Sequence, residues 1–214
     1  MGSEGPKTMT FHVTGFKKFH GVSENPTETI ISNLNEYVSK TGLPVRVKIG
    51  SCTVLETAGD GAKPALYEMF DTAASNENND CIVWLHLGVN SGAQNFAIEG
   101  QAYNEATFRC PDELGWQPQR EAIVADDGDI SVTRQTECKV EAIFSFLKKR
   151  GFDLMISDDA GRFVCNYVYY HSLRFAKEKG SKSLFVHVPL FSKIDEDTQM
   201  RFVVSLLEAI STTC

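Results

Sequence analysis

Phe152-Asp153-Leu154-Met155-Ile156-Ser157-Asp158-Asp159-Ala160-Gly161-Arg162-Phe163-Val164-Cys165-Asn166-Tyr167 moves from an apolar run through a polar, glycine-bearing turn towards a helix. The run before Ser157 reads as a buried strand, and Val168 to Ala176 reads as a helix. A cysteine just after a strand-to-helix turn meets free backbone N–H groups and the positive end of a helix dipole. Both stabilise thiolate, the nucleophilic form of the side chain. Cys165, Val168, Tyr169, Ser172, Leu173 and Ala176 also share one helical face, which suits a small core residue.

Outward from this segment the same alternation continues. Downstream, Leu184-Phe185-Val186-His187-Val188-Pro189 is another buried strand, and a last helix starts near Asp195. A cysteine followed by a histidine on the next strand is the skeleton of a cysteine hydrolase, although His187 also fits a satisfied strand histidine. Upstream, Glu137 to Lys149 reads as a helix. Thr10 to Phe16 is a first strand, and Asn25-Pro26-Thr27-Glu28 starts a helix, with Asn as cap and Pro in the first turn. That helix stops at Gly42 and Pro44; Val45 to Leu55 supplies one or two strands, Lys63 to Phe70 a helix, and Asp71 to Asp80 a polar loop. Cys81 to Val89 is a third buried strand. Residues 90–134 break the rhythm and are expected to form irregular loops or a hairpin.

Alternating helices and fully apolar strands predict a single α/β domain over residues 1–214. The expected form is a three-layer α/β/α sandwich around a mostly parallel twisted sheet, with residues 1–8 flexible. Such sheets bind ligands at the carboxyl ends of their strands. The chain of 214 residues suffices for a substantial core. A net charge of −7 argues against nucleic acid or an anionic membrane as partner. No apolar stretch reaches the roughly 20 residues that span a bilayer. Met1 to Lys7 lacks the apolar core of a signal peptide. Cys52, Cys81, Cys110, Cys138, Cys165 and Cys214 are scattered without a Cys-x-x-Cys pair, which suits free thiols in the cytosol; Cys214 is read as exposed and incidental. Gly59 to Pro64 lacks the Gly-Lys-Ser/Thr ending of a phosphate loop, and Gly88 to Gly92 is no dinucleotide fingerprint. No cofactor or metal is expected.

Four segments in order resemble the pyroglutamyl peptidase I (pyrrolidone-carboxylate peptidase) family of cysteine peptidases. Thr14-Gly15-Phe16-Lys17-Lys18-Phe19-His20-Gly21 with Asn25-Pro26 resembles its opening Thr-Gly-Phe-x-Pro-Phe-Gly-Gly…Asn-Pro. Glu99-Gly100-Gln101-Ala102-Tyr103-Asn104 resembles its Glu-x-x-Ala-x-Asn. Ala160-Gly161-x-x-x-Cys165-Asn166, with Tyr170-His171 downstream, resembles the nucleophile block. Phe185-Val186-His187-Val188-Pro189 resembles Phe-Val-His-x-Pro. Lys18 and His20 replace a proline and a glycine, and residues 90–98 lack the family's Gly-Gly-Arg-Pro. Asp158 and Asp159 stand where relatives are commonly uncharged; they raise a nearby thiol pKa unless Arg162 or Arg109 offsets them.

The resemblance implies an α/β/α fold and removal of an N-terminal pyroglutamyl residue from peptides. Cys165 is then the nucleophile, His187 the base and acid, and Glu99 the carboxylate orienting the histidine; by itself Glu99 reads as a solvated loop residue. The family match also places Arg109 near the oxyanion, where a surface ion pair with Asp112 is the competing reading. Phe16 and Phe19 flank the substrate ring or anchor their loop, and Asn25 bonds the lactam or caps its helix. Phe163 and Val164 add backbone and apolar contacts. Bacterial members suggest a homo-oligomer, with no interface marked in this sequence. Two other readings stay open: a non-catalytic binding module, and a cysteine amidase for another small cyclic or acylated amide.

Overall fold

The computed structural model describes residues 8–74 and 81–214. Apart from Thr8, the segment expected to be flexible lies outside them, as do residues 75–80 of the expected polar loop. In chain order the elements are β1 (Met9–Phe16), α1 (Pro26–Thr41), β2 (Val47–Leu55), α2 (Gly59–Ala74), β3 (Cys81–Val89) and β4 (Phe96–Glu99). Short strands follow: β5 (Gln101–Tyr103), β6 (Glu105–Ala106), β7 (Glu121–Ala122) and β8 (Thr133–Gln135). The chain then runs through α3 (Val140–Lys149), β9 (Leu154–Ser157), α4 (Val164–Lys179), β10 (Lys182–Val188) and α5 (Glu196–Thr213).

Six strands form one sheet in the order β2-β1-β3-β10-β4-β9. β2, β1, β3 and β10 run parallel, while β4 is antiparallel to β10 and parallel to β9. The sheet is mostly parallel, as expected, with a reversed pair at one edge. Both faces are apolar because alternate residues serve opposite layers. Val83, Leu85, Leu184 and Val186 meet Ile30, Leu34, Ile143 and Leu206 of α1, α3 and α5. Trp84 and Phe185 meet Leu66 and Phe70 of α2 and Tyr169 and Phe175 of α4. The result is a three-layer α/β/α sandwich.

Three local expectations are corrected. Helix α2 starts at Gly59 rather than Lys63 and continues through Ala74. Its start is fixed from a distance: the carboxylate of Asp112 accepts the Gly59 N–H at 2.9 Å. Cys214 is half-buried and packs against the α1/α3/α5 core rather than standing exposed. Residues 90–134 are not wholly irregular, since Phe96-Ala97-Ile98-Glu99 is a fully buried strand of the main sheet.

The rest of that excursion is held by buried polar side chains in place of a long ladder. Asn104, fully buried, accepts from the Val124 N–H at 2.8 Å and donates to the carbonyls of Val124 and Gly128. Besides Gly59, Asp112 accepts the N–H groups of Leu114 and Trp116. Asp127 receives Arg134, Arg174 and the Tyr170 hydroxyl, tying the excursion to α4.

Candidate active site

Cys165 is the second residue of α4, directly after the turn that Gly161 makes at φ +81°. An L-residue with a side chain is strained there, and the reversal brings the helix start back over the sheet. Phe163, the residue before the helix, gives no side-chain cap. The first N–H groups of α4 have no acceptor within the helix, so they and the dipole face the sulfur and the cavity above it. Cys165 is half-buried, which a purely core cysteine would not be.

His187 lies on β10, near its carboxyl end, and is 8% exposed. Glu99 ends β4, the strand paired to β10, and is 1% exposed. Its Oε1 is 2.7 Å from His187 Nδ1, a charge-assisted hydrogen bond inside the protein. The expectation of a solvated loop glutamate fails because β4 carries this carboxylate under the sheet surface. Tyr169 of α4 donates its hydroxyl to the Glu99 carbonyl at 2.8 Å, holding the strand end against the helix that carries Cys165.

Charge on His187 follows from these neighbours. Burial alone disfavours an imidazolium. The charge and hydrogen bond of the Cys165 sulfur, then the hydrogen bond and charge of Glu99, outweigh burial and push His187 up to about 10. The arrangement sets the Cys165 sulfur beside an imidazole whose ring the Glu99 carboxylate fixes.

These groups open into a cavity of about 760 Å³. Phe16, Phe19, Phe163, Val164, Asn25 and Arg109 all line it, so the structure gathers every residue singled out from the sequence. Phe16 and Val164 are also core residues, whereas Phe19 and Phe163 are half-buried walls. Asn25 has its side chain engaged: Oδ1 caps α1 through Thr27 N–H at 3.0 Å, and Nδ2 donates to the Lys17 carbonyl at 3.0 Å. It therefore sets the loop that carries Phe19. Arg109 is exposed on the cavity rim, and the Asp112 expected as its ion-pair partner is instead buried at the start of α2.

The acidic pair before Cys165 is partly compensated. Arg162 reaches Asp159 at 2.7 Å and Glu105 at 3.0 Å, and stacks on the Tyr103 ring at 3.7 Å. Two contributors were not legible from sequence. Asn166, fully buried, accepts from Tyr103 N–H and donates to the carbonyls of Tyr103 and Glu105, fastening the Glu99 segment to α4. Its position beside the cysteine was the available signal. Met155, read as strand core, is 47% exposed and lines the cavity. Among the described residues no cluster of His, Cys, Asp and Glu is arranged to hold a metal ion, and no helix is long and apolar enough to cross a membrane.

Known proteins match both chain and fold. The family model for pyroglutamyl peptidase matches residues 9–210. A pyrrolidone-carboxylate peptidase of Thermococcus litoralis is 31% identical over 83% of this chain and 74% of its own length. One from Vibrio campbellii is 29% identical over 86% of this chain and 79% of its own. The pyrrolidone carboxyl peptidase structure from Fervidobacterium islandicum superposes with a TM-score of 0.82 at 26% identity, covering 97% of this chain and 100% of that one. A mutant enzyme from Pyrococcus furiosus gives 0.81 at 26% identity, covering 94% and 98%. With the buried Glu99–His187 pair beside Cys165 and a match along almost the whole sequence, this chain belongs to the pyroglutamyl peptidase family.

Proposed function

We propose that the chain is a cysteine exopeptidase that removes an N-terminal pyroglutamyl residue from peptides. The observation that carries this reading is the 2.7 Å bond between Glu99 and His187, with Cys165 facing the same imidazole at an uncapped helix start. Cys165 attacks the carbonyl that joins the lactam ring to the next residue. The C–S bond forms, and the tetrahedral intermediate expels the peptide amine, which takes its proton from His187. Neutral His187 then draws a proton from water, whose oxygen attacks the thioester and releases pyroglutamate. Glu99 holds the tautomer and stabilises the imidazolium at each stage.

Negative charge on the carbonyl oxygen needs donors. The N–H of Cys165 is one, by its place in the first turn of α4, and Arg109 on the rim is the other. The cavity suits the substrate end. A pyroglutamyl ring has no ammonium, so its site needs apolar walls and no free carboxylate. Phe16, Phe19 and Phe163 supply the walls, with Val164 at the helix start, while Arg162 engages the Asp159 carboxylate. Free thiols throughout suit work in a reducing compartment such as the cytosol.

Release of a fluorescent amine from a pyroglutamyl amide tests this reading. Wild type is expected to turn over, with near-complete loss in both Cys165→Ser and Cys165→Ala. Turnover unchanged in both variants removes Cys165 from the reaction. A folded, reduced wild type without turnover sinks the substrate assignment.

A further inference from the structure

We propose that Gly88 is a positioning residue for the nucleophile: its missing side chain is the space in which the Cys165 sulfur reaches His187. The inference rests on the cysteine-peptidase reading above. Gly88 lies on β3, directly beside His187 in the parallel register with β10. A Cβ built on it falls 2.9 Å from Cys165 Sγ and 2.6 Å from Phe185 Cζ. Carbon and larger atoms repel well before such distances, since their favourable separation begins near ~3.5 Å. The sulfur therefore rests against bare backbone of β3.

The backbone of Gly88 does not itself require glycine. It is absent from the glycines with positive φ, so an alanine is conformationally acceptable there. Space is the whole constraint. Of the two atoms in the way, neither yields freely. Phe185 is fully buried and packed among the rings of Phe16, His86, Tyr169 and His187, with centroids 4.9–6.4 Å away. Cys165 sits in the first turn of α4, where its sulfur moves only by changing χ1 to another staggered well. A methyl group at position 88 therefore drives the thiol out of its place beside the imidazole.

The test compares wild type, Gly88→Ala, Phe185→Leu and the double variant. Two readouts are taken: the pH dependence of Cys165 alkylation by iodoacetamide, mapped by mass spectrometry, and hydrolysis of a pyroglutamyl amide. In Gly88→Ala the alkylation midpoint is expected to move to higher pH, because the thiolate has lost its imidazolium. Turnover is expected to fall about 100-fold in kcat with KM little changed, the effect of misplacing a reacting atom by about 1 Å. Phe185→Leu frees the ring position but not the sulfur position, so the double variant stays impaired relative to Phe185→Leu alone. Should Gly88→Ala fail to fold, that second comparison decides. An unchanged alkylation profile in Gly88→Ala, or recovery in the double variant, overturns the proposal. Alkylation needs no peptide, so a wild type that alkylates near neutral pH but leaves pyroglutamyl amides intact sinks the substrate reading alone.

Discussion

The segment from β9 through α4 to β10 and the excursion between β3 and α3 each deliver members of the proposed triad to one cavity, and they are built differently. The first consists of two strands around a helix, set by apolar periodicity and a turn at Gly161. The second has strands of two to four residues, and its shape depends on Asn104, Asp112, Asp127 and Asn166, each bonded across a long stretch of chain. Local pattern suffices where a helix or long strand buries its own face. Where strands are too short for that, buried polar side chains take over, and each becomes hard to replace. Cys165 and His187 come from the first kind of structure, and Glu99 from the second.

If this contrast is right, the short strand β4 matters to chemistry as much as the long elements. Glu99→Gln keeps the shape but removes the carboxylate that holds the His187 tautomer and charge. A loss in kcat of roughly 10³–10⁴-fold is expected, by analogy with carboxylate-to-amide changes in other triads. Steady-state kinetics check it, with far-UV circular dichroism for the fold. A loss under tenfold would leave Glu99 a structural buried carboxylate.

The next test loosens the excursion without touching the frame. Asn166→Ala removes three hydrogen bonds and strands the backbone groups of Tyr103 and Glu105, which destabilises by about 3 kcal/mol. Hydrogen exchange is expected to accelerate over residues 100–135 and to stay slow in β1 and β3. Uniform acceleration would mean that the excursion unfolds only with the whole domain. Asp112→Ala is milder, about 1–2 kcal/mol, because it removes a cap and a turn from the start of α2. Urea denaturation reads it directly.

Legibility in the sequence follows the same division. β1, α1, β3, α4, β10 and α5 are readable because period, caps and stops are all local: Asn25 caps α1, and Asp195 caps α5. β4 is not, since four residues carry no period and its partners, β10 and β9, lie far along the chain. Its reversal against β10 has no sequence signal either. Glu99 is legible through the resemblance to relatives, whereas the strand that buries it is not. The start of α2 is hidden for a related reason. Glycines at 59 and 61 argue against a helix locally, and the cap that overrides them comes from Asp112.

The smallest expected effect is in the pH profile of the wild type, and it ties the two regions together. His187 is raised from 6.5 to about 10 by Cys165 and Glu99 against the opposing effect of burial. A raised pKa means that the folded protein holds a proton that the unfolded chain releases. The stabilisation is fully present below about 6.5 and is lost as pH rises through about 10. In the proposed mechanism the same proton serves the leaving amine, so turnover should be flat from pH 7 to 9 and about half its plateau near pH 10. Glu99→Gln removes one of the two partners that raise the imidazole, so its residual activity should decline at lower pH than wild type. Asp112→Ala acts on the same excursion but touches neither partner, so its alkaline limb should coincide with that of wild type. Coincident limbs in wild type and Glu99→Gln would mean that Cys165 alone sets the charge on His187, and that β4 contributes geometry without electrostatics.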